Sequence, residues 1–337
     1  MRPASLPRNV RRQFLALGAA LFLGMATTDT ALAQTDGGAY PSRPIRIVVP
    51  YTPGGTNDVI ARLLGQKLQE MWSQPVVVEN KPGAAGNIGA GEVAKASPDG
   101  YTLLLTNINI VSMNPGLFER MPFDPQKDFA PISLLGTSAL MLVVNPTVQA
   151  QTVQQLIDLA RREPGRLSYG SSGNGSPQHM SAEMFKSMTK TSMVHIPYRG
   201  AAPAIADLLA GQVQVTVGVV NQLLPHIRSG RLRALGVTSR NRLATAPEVP
   251  TLDEAGVKGY ESEIWLCLAA PAGTPPSIVN TINQAVRRVM AMPDVVEKLN
   301  AQGIDVLVSS PEQMRQRSLD DLKRWTDVIR SAGIKLE

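Results

Sequence analysis

Four times along this chain an apolar run gives way to a glycine-rich turn and then to a helical pattern, and this recurrence most limits the folds open to it. In the first unit Ile45-Arg46-Ile47-Val48-Val49 passes through Pro50-Tyr51-Thr52-Pro53-Gly54-Gly55-Thr56-Asn57-Asp58. Beyond that turn Ile60, Leu63, Leu64, Leu68 and Met71 recur at the spacing of one helical face. The second unit starts at Val76-Val77-Val78 and turns through Asn80 to Gly89. The third runs from Leu167 to Tyr169 into a turn from Gly170 to His179, and the fourth from Val194 to Ile196 into Pro197-Tyr198-Arg199-Gly200-Ala201-Ala202-Pro203.

Such turns suit an anion. Gly54 and Gly55 can adopt backbone angles closed to other residues, and without side chains they let a ligand approach the N–H groups that a helix start leaves unpaired. The positive end of the helix dipole lies behind those donors. A single Gly-Gly turn capped by Asn57 or Asp58 needs no ligand, but four such turns in one chain point to a shared use.

Strands alternating with helices give an α/β fold with mostly parallel sheets, in which ligands sit beyond the carboxyl ends of the strands. Strands are expected at Tyr101 to Thr106, Ile132 to Leu135, Leu140 to Val144, Val213 to Val219, Leu232 to Thr238, Ile264 to Ala270 and Asp305 to Val308. A longer loop is expected from Asn107-Ile108-Asn109 through Asn114-Pro115 to Asp124-Pro125. Thr152 with Gln155, and Ser310 with Gln313, read as capping boxes that open helices. The turns fall into two groups, one before residue 140 and one after 165, which predicts two lobes facing each other. The runs Leu140 to Val144 and Ile264 to Ala270 are the expected crossings, so that residues 44–140 and 264–337 form one discontinuous lobe and residues 141–263 the other.

The first 33 residues carry an address. Arg8, Arg11 and Arg12 precede an apolar stretch from Phe14 to Ala26, too short to span a bilayer, and Ala31-Leu32-Ala33 has the small-x-small form of a secretory cleavage site. Arg11-Arg12-Gln13-Phe14-Leu15 resembles a twin-arginine export signal, although a general secretory signal has the same outline. Cleavage near Ala33 would free the remaining chain into the periplasm, with residues 34–43 as a disordered lead-in. Much of the net charge of +6 lies in this leader, and aromatics make up only 4% of the chain, so a nucleic-acid surface is not expected. Cys267, the only cysteine, reads as a buried thiol and leaves no internal disulfide.

For catalysis the chain offers little. His179, His195 and His226 fall in different elements, with no metal-ligand spacing and no evident cofactor motif. His179 either pairs with Ser172 or Ser176 or orders the turn it follows, and His195 reads as a packed strand residue. Arg199 either clamps a carboxylate bidentately or points to solvent. Asp58 would repel an anion if it faced one, and reads instead as a cap that orders its turn, its oxygen accepting from helix-start N–H groups.

Several of these segments, in this order, resemble the periplasmic receptors of tripartite tricarboxylate transporters, the Bug family, which have the two-lobed type II periplasmic binding protein fold. The matching stretches are Pro50 to Asp58, Asn80 to Gly86, Ser97-Pro98-Asp99-Gly100-Tyr101-Thr102-Leu103, Tyr169 to Ser176, Pro197 to Gly200 with Pro203, Asp207 to Gly211, and Val249 to Gly256. The resemblance implies a monomeric, non-enzymatic receptor that closes on a small carboxylate in a cleft between lobes and presents it to membrane permease subunits. By position it nominates Thr52, Gly54, Gly55, Asp58 and Asn107 on one lobe, and Ser172, Gly175, Ser176, Tyr198, Gly200, Ala201 and Ala202 on the other. His179 and Arg199 complete the candidate ligand-binding set. The alternatives are a receptor for a two-component sensor kinase, or an exported enzyme acting on small acids through His179 and a neighbouring serine.

Overall fold

The computed structural model describes residues 40–334; the expected export signal, and the lead-in as far as residue 39, lie outside the described residues. The last lead-in residues are tied down, since Ser42 N–H donates to the Tyr101 hydroxyl at 3.0 Å and Arg43 Nη2 to Asp99 Oδ2 at 2.7 Å.

Each Gly-rich unit builds a strand and a helix as its pattern requires. Strand β1 (Ile45–Val49) leads into helix α1 (Thr56–Trp72), which buries Ile60, Leu64 and Leu68. Strand β2 (Val76–Asn80) leads through a short 3-10 turn into α2 (Asn87–Ala94), and β3 (Thr102–Asn107) follows. The expected loop after β3 is instead partly helical: a π-helical turn, Asn109–Met113, runs into α3 (Asn114–Leu117). Its asparagines make tertiary bonds that no local pattern announces, among them Asn114 Nδ2 to Asn87 Oδ1 at 2.8 Å.

The two strand candidates at Ile132 and Leu140 are one strand, β4 (Phe129–Val144). Gly136 and Thr137 read locally as a break, yet the chain continues through them, and the pairing with β9 (Glu263–Pro271) absorbs register shifts at Pro131/Ser133 and Leu134/Gly136. A side chain at 136 would not fit, because a Cβ there would lie 2.8 Å from Ile304 Cγ2.

After β4 come α4 (Val153–Arg162), β5 (Ser168–Ser171), α5 (Pro177–Thr189), β6 (Val194–Pro197), α6 (Ala201–Leu209), β7 (Val215–Val219), α7 (Val220–Arg228) and β8 (Arg233–Val237). Beyond β9 the chain is largely helical: α8 (Pro276–Met290), α9 (Pro293–Ala301) and α10 (Pro311–Ala332), interrupted by the short β10 (Asp305–Val306). Ser310 and Gln313 form the full capping box of α10, whereas Gln155 turns its side chain to the N–H of Gln151 rather than of Thr152.

The strands join in the order β2-β1-β3-β9-β4-β7-β5-β6, with β8 and β10 also pairing to β4. The flanks β2-β1-β3 and β6-β5-β7 are parallel, as covered α/β strands are, while β9 and β4 run antiparallel to their neighbours where they carry the chain between the flanks. Apolar side chains such as Val48, Leu104, Leu142, Tyr169, Trp265 and Trp325 form one core cluster, and a second gathers Met141, Val143, Leu208, Leu223 and Val237. Cys267 is buried in β9, and burial pushes its thiol above the ordinary range. Among the described residues no helix is long and apolar enough to cross a membrane.

Candidate functional site

Because both parallel flanks send their strands toward helices, four helix starts meet on one cavity beyond the carboxyl ends of β1, β3, β5 and β7. The cavity holds about 370 Å³, and its wall includes Gly55, Thr56 and Asn57 of α1, Ser176, Pro177 and Gln178 of α5, Ala201 of α6, and Val219 and Gln222 of α7. The residues preceding α1, α6 and α7 are Gly55, Gly200 and Val219, and none supplies a side-chain cap. First-turn N–H groups have no partner within their helix, so these three starts leave donors for an outside acceptor. No residue of the cavity wall is charged.

A larger hollow of about 760 Å³, lined by Pro146, Thr152, Arg233, Arg242, Glu254 and others, contains none of the predicted residues. The helix start on it, that of α4, is already capped by the Thr152 side chain, so it has less to offer an anion. The smaller cavity is therefore the candidate site.

Of the predicted residues, Gly55, Asn107, Ser172, Ser176 and Ala201 come together on this wall, while Thr52, Gly54, Asp58, Gly175, His179, Tyr198, Arg199, Gly200 and Ala202 are not part of it. Thr52, Arg199 and Ala202 are exposed. Gly54 and Gly55 differ in a way their sequence does not show: Gly54 has φ +81°, whereas Gly55 has φ −80°, open to any residue. The Gly54 N–H is spent within the turn, donating to Asp58 Oδ2 at 2.9 Å. Asp58 is buried and also takes Arg62 Nε at 3.0 Å; burial alone would push its carboxyl up, but the guanidinium and the Gly54 N–H together hold it below the ordinary range. It therefore orders the turn, by accepting from the turn itself rather than from the helix start.

On the other flank Tyr198 donates its hydroxyl to Asp207 at 2.6 Å, and burial, then that carboxylate, push its phenol up to about 12. Gly200 supports Ala201 by starting α6 with φ +116°. Gly175 is occupied on both sides, its N–H donating to His179 Nδ1 at 3.1 Å and its carbonyl accepting from Asn109 Nδ2 at 2.9 Å.

His179 belongs to a layer behind the turn. Its ring stacks on His195 with centroids 3.9 Å apart and 7° between planes, and His195 stacks on Tyr169 at 4.8 Å. Tyr169 donates to Glu183, which also takes Lys186 Nζ at 2.6 Å. Burial lowers both imidazoles to about 4, with Lys186 adding to the effect on His179 and His179 adding to that on His195. A serine–histidine pair exists, but between Ser171 Oγ and His195 Nε2 at 2.6 Å, and neither residue is part of the cavity wall. Among the described residues no three His, Cys, Asp or Glu side chains are gathered to hold a metal ion.

Tyr51, Thr56, Asn57, Asn109, Ser138, Asn174, Gln178, Gln222 and Ile264 also line the cavity, beyond the residues the sequence predicts. Tyr51, Thr56 and Asn57 sit inside the first turn motif, and Asn109 two residues after Asn107, so a local signal existed for them. Ser138 and Ile264 come from β4 and β9, where nothing local marks them. Tyr51 donates to Asn107 Oδ1 at 2.9 Å, the same oxygen that accepts the Asn109 N–H at 3.0 Å. Burial pushes the Tyr51 phenol well up, which keeps it a donor.

Comparison with known proteins agrees with this architecture. Residues 60–334 match the model of the tripartite tricarboxylate transporter family receptor. Protein BugT of Bordetella pertussis is 37% identical over 330 residues, covering 98% of this chain and 100% of that protein. Among solved structures, the R. palustris protein Rpa4515 with adipate superposes with a TM-score of 0.80 at 36% identity, covering 88% of this chain and 100% of that one. MatC from Rhodopseudomonas palustris with bound malate gives 0.77 at 30% identity, with coverage of 86% and 100%. With the fold, the turns and the family model in agreement over most of its length, the chain belongs to the tripartite tricarboxylate transporter receptor family.

Proposed function

We propose that this chain is an exported periplasmic receptor that captures a small carboxylate between two lobes, residues 44–140 with 264–337 and residues 141–263, and delivers it to the membrane permease of a tripartite tricarboxylate-type transporter. The observation that carries this reading is the convergence of α1, α5, α6 and α7 on an uncharged cavity lined mostly by polar residues, with α1, α6 and α7 lacking side-chain caps. An anion there takes the place of the caps, and the aligned peptide dipoles stabilise its charge where no guanidinium or ammonium lines the wall. A cavity of about 370 Å³ suits a small acid, and two structures of similar fold hold adipate and malate.

The reading is of binding without turnover. His179 Nδ1 and His195 Nε2 are both engaged behind the turn, and Cys267 is buried with its thiol kept protonated. The test is a thermal-shift and calorimetric screen of the mature chain against a panel of small mono-, di- and tricarboxylates. Binding raises the unfolding temperature in proportion to the logarithm of ligand concentration, and the acid is recovered unchanged. Failure of every acid to stabilise the protein, or consumption of the acid, would overturn the reading. Delivery is tested separately, by whether uptake of the bound acid into cells requires both this chain and a tripartite permease.

A further inference from the structure

The turn between β2 and α2 carries two side chains where the backbone favours none. Four consecutive residues have positive φ: Gly83 at +132°, Ala84 at +47°, Ala85 at +51° and Gly86 at +92°. Alanine in this left-handed region crowds its Cβ against the following carbonyl oxygen, a strain that glycine avoids. Neighbouring groups fix the turn. A Cβ at Gly86 would lie 2.9 Å from Ile110 Cδ1, and one at Gly89 would lie 2.6 Å from the Lys81 carbonyl oxygen, while Asn114 Nδ2 donates to the Ala85 carbonyl at 3.2 Å. Neither methyl is needed to fill the core, since Ala84 is exposed and Ala85 only half-buried.

What separates the two alanines is the cavity, because Ala85 is part of its wall and Ala84 is not. Among the wall residues of the β2-β1-β3 flank and its turns, Ala85 alone brings an aliphatic side chain. The others are Gly55 or side chains with a hydroxyl or an amide. With its carbonyl spent on Asn114, Ala85 can offer a ligand its methyl group and its N–H. We propose that the Ala85 methyl packs against the carbon skeleton of the bound acid and limits the chain length that the cavity accepts. The inference rests on the carboxylate-binding reading and adds to it the residue that measures the ligand. A methyl group on an otherwise polar flank gives carbon a surface to rest on, and a turn held by Asn114 and close-packed glycines resists moving aside for one methylene more.

Calorimetric titration of the mature chain with straight-chain acids, acetate to octanoate and malonate to suberate, tests this in Ala85→Gly and Ala84→Gly. Both substitutions relieve the same kind of backbone strain, so each is expected to raise the ligand-free unfolding midpoint, by about 1–2 °C. Only Ala85→Gly should alter binding: the acid that best fits the parent is expected to bind about threefold or more weakly, and the preferred length to move to a longer acid. Higher stability with weaker binding marks a contact with the ligand, since a merely structural role would move both in one direction. Affinities in Ala85→Gly that match the parent along the whole series, as they would if only the Ala85 N–H met the acid, overturn the inference and leave the carboxylate reading standing. Equal losses in the two variants, or a loss in Ala85→Gly that is uniform across chain lengths, overturn it as well, by assigning the effect to a loosened turn. If the parent binds no acid of this series or of the wider carboxylate panel, the carboxylate reading fails, and this inference with it.

Discussion

The side-chain amide of Asn109 reaches 66 positions along the chain to donate to the carbonyl of Gly175 at 2.9 Å, joining the turn after β3 to the turn after β5. The same glycine gives its N–H to His179 Nδ1, and Asn109 gives its own N–H to Asn107 Oδ1, which Tyr51 also reaches. A continuous hydrogen-bonded path beside the cavity therefore links one parallel flank to the other. Asn109→Ala removes the contact between the flanks while leaving each turn its local bonds. The expected result is a loss of about 1 kcal/mol in stability and a larger relative loss of ligand affinity, read by urea denaturation and by calorimetry on the same preparation. Unchanged affinity would show that this link plays no part in shaping the cavity.

The stacked imidazoles of His179 and His195 make stability depend on pH in a definite direction. Both are held at about 4, against an ordinary value of 6.5. The unfolded chain therefore binds protons between these values that the folded chain refuses, and stability falls as pH is lowered from about 6.5 to about 4, then levels for these groups below it. Urea midpoints measured across that range should drop, and His195→Gln should show a shallower slope. A slope unaltered by the substitution would mean that the imidazoles protonate in the folded state as they do in the unfolded one.

Gly200 and Gly55, each the residue before a helix, should respond oppositely to alanine. At Gly200 a Cβ would meet nothing within 4 Å, but φ is +116° with ψ 171°, a region essentially closed to alanine. Gly200→Ala should cost about 1–3 kcal/mol and weaken ligand binding by disturbing the start of α6. At Gly55 φ is −80° and a Cβ would lie 3.7 Å from the Thr52 carbonyl oxygen, an ordinary contact. Gly55→Ala should stay within about 0.5 kcal/mol of the parent. Thermal unfolding of the two variants decides whether backbone angle or space sets these positions.

Asp58 holds the first turn closed on itself through Gly54 and Arg62. Removing the carboxylate in Asp58→Ala leaves the Gly54 N–H without its acceptor, with an expected cost of about 1–2 kcal/mol. Asp58→Asn keeps an oxygen for that N–H and should cost less. Since the carboxyl is held below its ordinary 3.8, its contribution is present above that pH and is lost as the pH falls through the lower folded value. Both variants should bind ligand more weakly than the parent, because Gly55 and Thr56 follow directly on the cavity wall. Parent-like affinity in Asp58→Ala would show that the turn keeps its shape without this residue.

Legible in the order of residues is whatever depends on near neighbours. Apolar runs followed by glycine-rich turns made the strand–turn–helix units, the three-and-four spacing of Ile60, Leu64 and Leu68 set the buried face of α1, and Ser310 with Gln313 opened α10, because each is fixed by backbone geometry and contacts a few residues apart. The tertiary structure alone decided which of the promising N–H groups remain for a ligand. Gly54 and Gly175 lose theirs to Asp58 and His179, and whether a donor is spent depends on the side-chain positions that the packed fold imposes. It also decided that β4 runs unbroken past Gly136, through pairing with β9 more than a hundred residues away, and that this pairing brings Ser138 and Ile264 to the cavity. A hydrogen bond or a strand pair between distant segments leaves no mark on the local pattern of either one, and the cavity is built largely from such pairs.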